Sequence, residues 1–291
     1  MRPAINAVVD RQNELLAQAE SFVYKKIDQG PDLHAHVYYP EGEKRGMDRP
    51  VIMFYYSSSW DQGEVTQFGP QSMYFAERGA ITMLVEYRVS STHGTGPHEA
   101  MADARTAIRW VRYNKDHFGV DEFKIIGAGG MAGAQIILGA AMIRDFKDDE
   151  TDVQLSCMPD AMILFSPIVD ISRKGYGVDQ FDSPKEAYKA SPMRYIRKKL
   201  PPCILFHGTE DRLVPFRGVE KFVRKMKRRR NTCELVDFEG RDHSFYNMNV
   251  DVTAYESTVS AADRFLVEQG FLESNEEDDG TPRLVSWRAQ E

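Results

Sequence analysis

The stretch Phe123-Lys124-Ile125-Ile126-Gly127-Ala128-Gly129-Gly130-Met131-Ala132-Gly133-Ala134 decides how this chain is built. Residues 123–126 make a short apolar strand, the glycines make a tight turn, and the apolar run over 132–143 reads as a helix. Strand, glycine turn and helix together form the repeating unit of a parallel α/β sheet. Working outward, strands are expected at 51–56 and 81–87, and a helix at 99–117 with Ala102, Ala107, Ile108 and Val111 at near-helical spacing. Beyond the central unit, strands at 161–165, 203–207 and 233–238 alternate with helices at 217–227 and 252–269. Two leading strands, 22–27 and 33–39, flank the turn signal Gln29-Gly30-Pro31. The expected fold is therefore α/β, with a central, mostly parallel sheet of about eight strands covered on both faces by helices. Sheets of this kind bind ligands at the carboxyl ends of their strands, so chemistry is sought there.

Composition narrows the function classes. The 291 residues are 42% apolar and 28% charged, enough for a large core. A net charge of −7 and a pI near 5.6 argue against nucleic acid as the main partner. No apolar run approaches about 18 residues, so no membrane span is expected. Cys157, Cys203 and Cys233 are too few and too scattered for a disulfide framework or a zinc site. The N-terminus lacks the apolar core of a signal peptide, and a cytoplasmic location is expected. In outline, residues 1–20 form an N-terminal helical segment with a short helix at 13–20, and residues 21–271 form the body. Residues 272–291 form an acidic tail with six acids and two bases. The basic run from Lys221 to Arg230 reads as a solvated helix face.

Four strand ends carry the polar residues of interest. They are Tyr56-Ser57-Ser58-Ser59-Trp60, the glycine turn around Met131, His207-Gly208-Thr209-Glu210-Asp211-Arg212-Leu213-Val214-Pro215, and Gly240-Arg241-Asp242-His243. Together with Glu86-Tyr87-Arg88-Val89 and the run from Asp103 to Arg112, these words resemble the α/β-hydrolase family. The resemblance is to its esterase branch of acetyl-esterases and hormone-sensitive-lipase-like enzymes, and it runs from about Val51 to Phe271. It implies a nucleophile on a G-x-S-x-G elbow, then an acid, then a histidine base, in that chain order. Asp211 matches the acid and His243 the base. It also implies that residues 166–195 form an insertion over the pocket and that Tyr56, Trp60 and Gly130 line it. The ligand class it implies is a small acyl or acetyl ester, with no cofactor.

Two departures from the family pattern bear on activity. The elbow reads Gly129-Gly130-Met131-Ala132-Gly133, with methionine where serine belongs, and residues 119–150 contain no serine, threonine or cysteine. A thioether has no proton for His243 to remove and forms no useful acyl intermediate. The glycine-rich oxyanion loop of the family is replaced by Ser57-Ser58-Ser59, although the backbone N–H of Ala132 remains a possible donor. The expectation is a catalytically dead or severely impaired relative that keeps a pocket for a small ester or carbonyl ligand. The alternatives are hydrolysis by water activated through His243 and Asp211, and a partner-binding, oligomerising or purely structural role. Ser57, Ser58 or Ser59 as a replacement nucleophile would need to reach His243. A dinucleotide fingerprint over Gly127, Gly129 and Ala132 is disfavoured because no acid follows the next strand. The pairs His34/His36 and His93/His98 have no carboxylate nearby in sequence to complete a metal site, so no metal is expected.

Overall fold

The structure is a computed structural model in which the described residues are 11–28, 30–41, 48–144 and 154–274. Among them, eight strands form one sheet: β1 (Glu20–Lys25), β2 (Leu33–Tyr38), β3 (Arg49–Tyr55), β4 (Ile81–Val85), β5 (Val120–Gly130), β6 (Ala161–Phe165), β7 (Cys203–Gly208) and β8 (Cys233–Phe238). Their order is β1-β2-β4-β3-β5-β6-β7-β8. The pairs β1/β2 and β2/β4 are antiparallel, and every later neighbour is parallel. The sheet is the mostly parallel, eight-stranded one expected from the sequence.

The main helices are α1 (Gly69–Glu77), α2 (Pro97–Tyr113), α3 (Met131–Met142), α4 (Pro184–Lys189), α5 (Phe216–Arg228) and α6 (Val252–Glu268). Alternation along β3 shows how they cover the sheet. Val51, Met53 and Tyr55 join one core with residues of α2, α3 and α5, while Ile52 and Phe54 join a second core with Phe75 of α1 and Phe265 of α6. Burial on both faces is what makes the strands read as continuous apolar runs. Among the described residues no helix is long and apolar enough to cross a membrane.

Several elements differ from the sequence reading. β5 extends to Gly130, because Gly127, Ala128 and Gly129 pair with Met53, Phe54 and Tyr55 of β3; the glycines are strand, and the bend begins only at Met131. α1 was missed, since Gly69-Pro70 resembles a turn and the buried Gln71 and Ser72 interrupt the apolar pattern; Ser72 instead bonds Thr82 at 2.7 Å. The helix expected over 99–117 stops at Tyr113, and a separate turn covers Lys115–Phe118. Near the N-terminus residues 11–17 are helical and β1 already begins at Glu20. Leu272, assigned to the tail, is buried in the second core, whereas tail residues 275–291 lie outside the described residues.

Candidate active site

The loops after β7 and β8 meet because Gly208 leaves no room for a side chain. A Cβ there would lie 2.3 Å from the Arg241 carbonyl oxygen and 2.7 Å from that of Asp242. This close approach brings Asp211 and His243 together. The Asp211 carboxylate accepts the Leu213 and Val214 backbone N–H groups on Oδ1, each at 2.9 Å. Its Oδ2 lies 2.7 Å from His243 Nδ1 and 3.3 Å from His207 Nε2, which also donates to the Val214 carbonyl at 2.9 Å. Burial alone would raise the Asp211 pKa, but the hydrogen bonds from His207 and His243, the nearby His243 ring and the Val214 N–H outweigh it. The carboxyl is held well below the usual range and stays ionised. Facing an ionised carboxylate, His243 donates Nδ1–H, and in the neutral ring Nε2 is the lone-pair acceptor. That Nε2 is buried and has no partner, in a residue only 6% exposed.

Two supports for this pair are not evident from the motif. His207, buried at the end of β7, clamps the 211–214 turn. Ser166, buried and at a φ of 40°, follows β6 and donates its hydroxyl to the His243 carbonyl at 2.9 Å. Both are contacts between separate strand ends, so local sequence does not display them.

Met131 opens α3 directly after β5, at a φ of 47° in the left-handed region. Few side chains other than glycine adopt it, and the strain belongs to the sharp strand-to-helix bend. The flanking glycines make that bend possible. A Cβ on Gly133 would sit 2.4 Å from the Tyr55 carbonyl oxygen and 2.5 Å from that of Tyr56; one on Gly130 would sit 2.6 Å from the Tyr246 hydroxyl. The space beside the glycines is thus filled by the Tyr55 and Tyr56 carbonyls, Ser57 and Tyr246, which argues against a phosphate cradle there. Met131 is 5% exposed and belongs to the first core, and its carbonyl accepts the Ile168 N–H at 3.4 Å.

Four backbone N–H groups at the bend and in the serine loop are already engaged. Ala132 N–H is given to the Ser58 carbonyl at 3.2 Å. Ser57 N–H is given to Gln67 Oε1 at 2.6 Å, Ser59 N–H to Asp61 Oδ1 at 3.3 Å, and Trp60 N–H to Ser58 Oγ at 2.9 Å. Ser58 Oγ also meets the Tyr87 hydroxyl at 2.9 Å, and Ser59 Oγ meets that of Tyr176 at 2.6 Å. None of the three serines is bonded to His243 Nε2, which has no partner. Tyr56 stacks on Tyr87 with ring centroids 4.2 Å apart and donates to its carbonyl at 3.0 Å. Trp60 is buried with Nε1 unpartnered, beside Gly177 and edge-on to Phe181 of the 166–195 segment. The sequence reading also missed Tyr246. Its buried hydroxyl lies beside Ser57 and Gln67 without closing a hydrogen bond to either, and burial pushes its pKa up to about 12.

The remaining histidines have structural partners. The sequence reading saw no carboxylate near His34 and His36, yet Glu86, directly after the neighbouring strand β4, takes both, at 3.3 Å each. His93 Nε2 lies 3.1 Å from the Pro31 carbonyl, and His98 packs edge-on to Phe181. Arg88 forks onto Asp103, with its NH2 2.7 Å from Oδ1, and Lys25 Nζ reaches the same oxygen at 2.7 Å. The quoted words around Arg88 and Asp103 thus encode a buried ion cluster.

A mostly parallel eight-stranded sheet, a left-handed residue at a strand-to-helix bend and an Asp–His pair on the following strand ends define an α/β-hydrolase of the esterase type. More particularly, the chain belongs to the BD-FAE family, whose model matches residues 35–226. Among solved structures it is similar to a thermophilic esterase of Thermogutta terrifontis with propionate bound. Identity is 39%, TM-score 0.84, and coverage 89% of this chain and 97% of that one. The same enzyme phosphonylated by sarin gives 38% identity and a TM-score of 0.85 over 89% and 98% of the two chains. Esterase LipC of Mycobacterium tuberculosis is 24% identical over 217 residues, 67% of this chain and 53% of that protein. Carboxylesterase NlhH of the same species is 30% identical over 134 residues, 45% and 40% of the two chains. The chain spans about half the length, or less, of these two curated relatives.

Proposed function

We propose that this protein is a non-hydrolysing member of its esterase family that binds a short-chain carbonyl or ester ligand beside His243. The observation that carries the reading is Met131 at the left-handed bend where the family's mechanism requires a hydroxyl. The engaged N–H groups of Ala132 and Ser57 support it, because an incoming oxyanion finds them already donated. Retention of a ligand is supported by three buried polar atoms without partners: His243 Nε2, the Tyr246 hydroxyl and Trp60 Nε1. Buried polar groups are rarely left unpaired, and two of these are donors suited to a carbonyl oxygen. The Thermogutta esterase structures with propionate and butyrate bound support short acyl chains as the ligand's scale. The segment 166–195, tied to the serine loop through Tyr176 and Ser59, forms the cover.

The test combines mass spectrometry, turnover and binding. A fluorophosphonate probe is expected to leave the intact mass unchanged, and ethyl butyrate is expected to shift the His243 ring-nitrogen resonances without releasing butyrate. A serine adduct, or ethyl butyrate leaving those resonances unmoved, overturns the proposal. The free Nε2 over an ionised Asp211 favours one second reading, water activation for labile esters. Butyrate release that disappears in His243→Ala identifies that reading instead.

A further inference from the structure

We propose a second binding site, for a small phosphate-rich anion, at the opposite end of the sheet from His243. β7 and β8 are parallel, so their amino ends lie about 20 Å from the loops that carry Asp211 and His243. At those amino ends a cavity of about 290 Å³ is lined by Lys198, Lys199, Arg229, Arg230, Asn231 and Gln269. Four cations enter it from two segments. Residues 195–202 and 221–233 contain no acid, and among the described residues none of the four cations is held in an ion pair.

Helix-end electrostatics explains only part of this arrangement. Basic residues in the last turn of α5 complement its carbonyl end, but Lys198 and Lys199 belong to no helix. The two segments are also held together from below. The buried Asn231 accepts the Leu200 N–H on Oδ1 at 3.1 Å and donates Nδ2 to the Arg197 carbonyl at 2.7 Å. One side chain therefore clamps like-charged segments that otherwise repel. Backbone strain adds a separate observation. Lys199 at φ 59° and Arg230 at φ 60° occupy the left-handed region, where glycine or asparagine is the unstrained choice, and both side chains line the cavity. Four solvent-exposed positive charges match one diphosphate group, and the volume admits a ligand at the small end of the usual pocket range. The anion is either a free diphosphate or a phosphorylated lipid headgroup; the recognition chemistry is the same.

The test is calorimetric titration of the full chain with inorganic diphosphate at 150 mM salt, beside co-sedimentation with phosphatidylcholine vesicles carrying a phosphoinositide bisphosphate. The variant Lys199→Asn/Arg230→Asn removes two charges while suiting the left-handed backbone, so it folds at least as well. It is expected to weaken diphosphate binding by about tenfold or more, whereas Arg224→Gln, on α5 outside the cavity, changes it less than about twofold. Saturable diphosphate binding with this pattern supports the site and a soluble source. Vesicle binding that diphosphate displaces, with the same pattern among variants, supports it and a lipid source. Absence of both up to millimolar diphosphate overturns the proposal, as does equal weakening in Arg224→Gln.

Discussion

Substituting Met131→Ser places a hydroxyl at the left-handed bend and tests the proposed loss of hydrolysis. The side chain is 5% exposed and packed in the first core, so losing it is expected to destabilise the protein by about 2–4 kcal/mol. The backbone at φ 47° is equally strained for either residue and cancels from the comparison. Activity is then limited by the oxyanion donors. Releasing Ala132 N–H from Ser58 and Ser57 N–H from Gln67 costs about 1 kcal/mol each, together a factor of about 30 in rate. If neither donor comes free, each missing one costs about 10²–10³, and the deficit reaches about 10⁴–10⁶. Met131→Ser alone is therefore expected to accept a fluorophosphonate label yet turn over p-nitrophenyl butyrate slowly. Adding Gln67→Ala, which removes the acceptor that holds Ser57 N–H, is expected to raise kcat by about fivefold or more. Stopped-flow release of nitrophenolate gives both constants, and urea titration gives the stability change. Equal kcat in the two variants refutes the reasoning, because the engaged donors would then not limit the reaction.

The other predictions concern stability. Asp211 ionises below its ordinary value in the folded protein, so its contribution is fully present above the unfolded carboxylate pKa near 4 and is lost as pH falls through the folded value. Urea titrations of Asp211→Asn should accordingly show a shallower loss of stability than wild type between about pH 5 and pH 2. Asp103→Ala strands Lys25 and Arg88 around a fully buried position and is expected to cost about 3–5 kcal/mol, read as a fall in denaturation midpoint. Gly133→Ala drives a methyl into the Tyr55 and Tyr56 carbonyls and is expected to destabilise by about 3 kcal/mol or more. Gly218→Ala, in α5 with open space around it, is expected to stabilise by about 0.5–1 kcal/mol; the order of the two melting temperatures checks both.

What could be read from the sequence depended on whether the determining contacts were local. β6 was legible to the residue, because an apolar run buried on both faces ends where its burial ends; the bounds of β8, a partly buried edge strand carrying Glu234 and Asp237, were legible too. The carboxyl end of β5 was not, since Gly127 to Gly130 look like loop until their pairing with β3 and β6 is known. The histidine cluster failed for the same reason: Glu86 stands fifty residues from His36 and meets it only because β2 and β4 are neighbours. At the site, Asp211, His243 and Met131 could be placed by motif. The state of the oxyanion donors could not, because it turns on Gln67 and Asp61 reaching back to backbone N–H groups. Residue identity shows which group occupies a position, while its availability is decided by tertiary hydrogen bonds.

That distinction bears on why a buried Asp–His pair is kept with one ring nitrogen unpaired. Asp211 binds the end of β7, its own turn and the His243 loop at once, so a scaffold role accounts for the aspartate. It does not account for the whole imidazole. A ring kept only to donate Nδ1–H leaves Nε2 buried and unpaired, at a cost of about 1–3 kcal/mol that a side chain without a second nitrogen avoids. A ligand hydroxyl or a ligand-held water on Nε2 removes that cost, and binding to the folded state alone raises Tm in proportion to RT ln(1 + [L]/Kd). Short-chain esters and their alcohols are therefore expected to raise the Tm of the wild-type protein and not that of His243→Phe. An equal shift in both proteins assigns the imidazole to the scaffold.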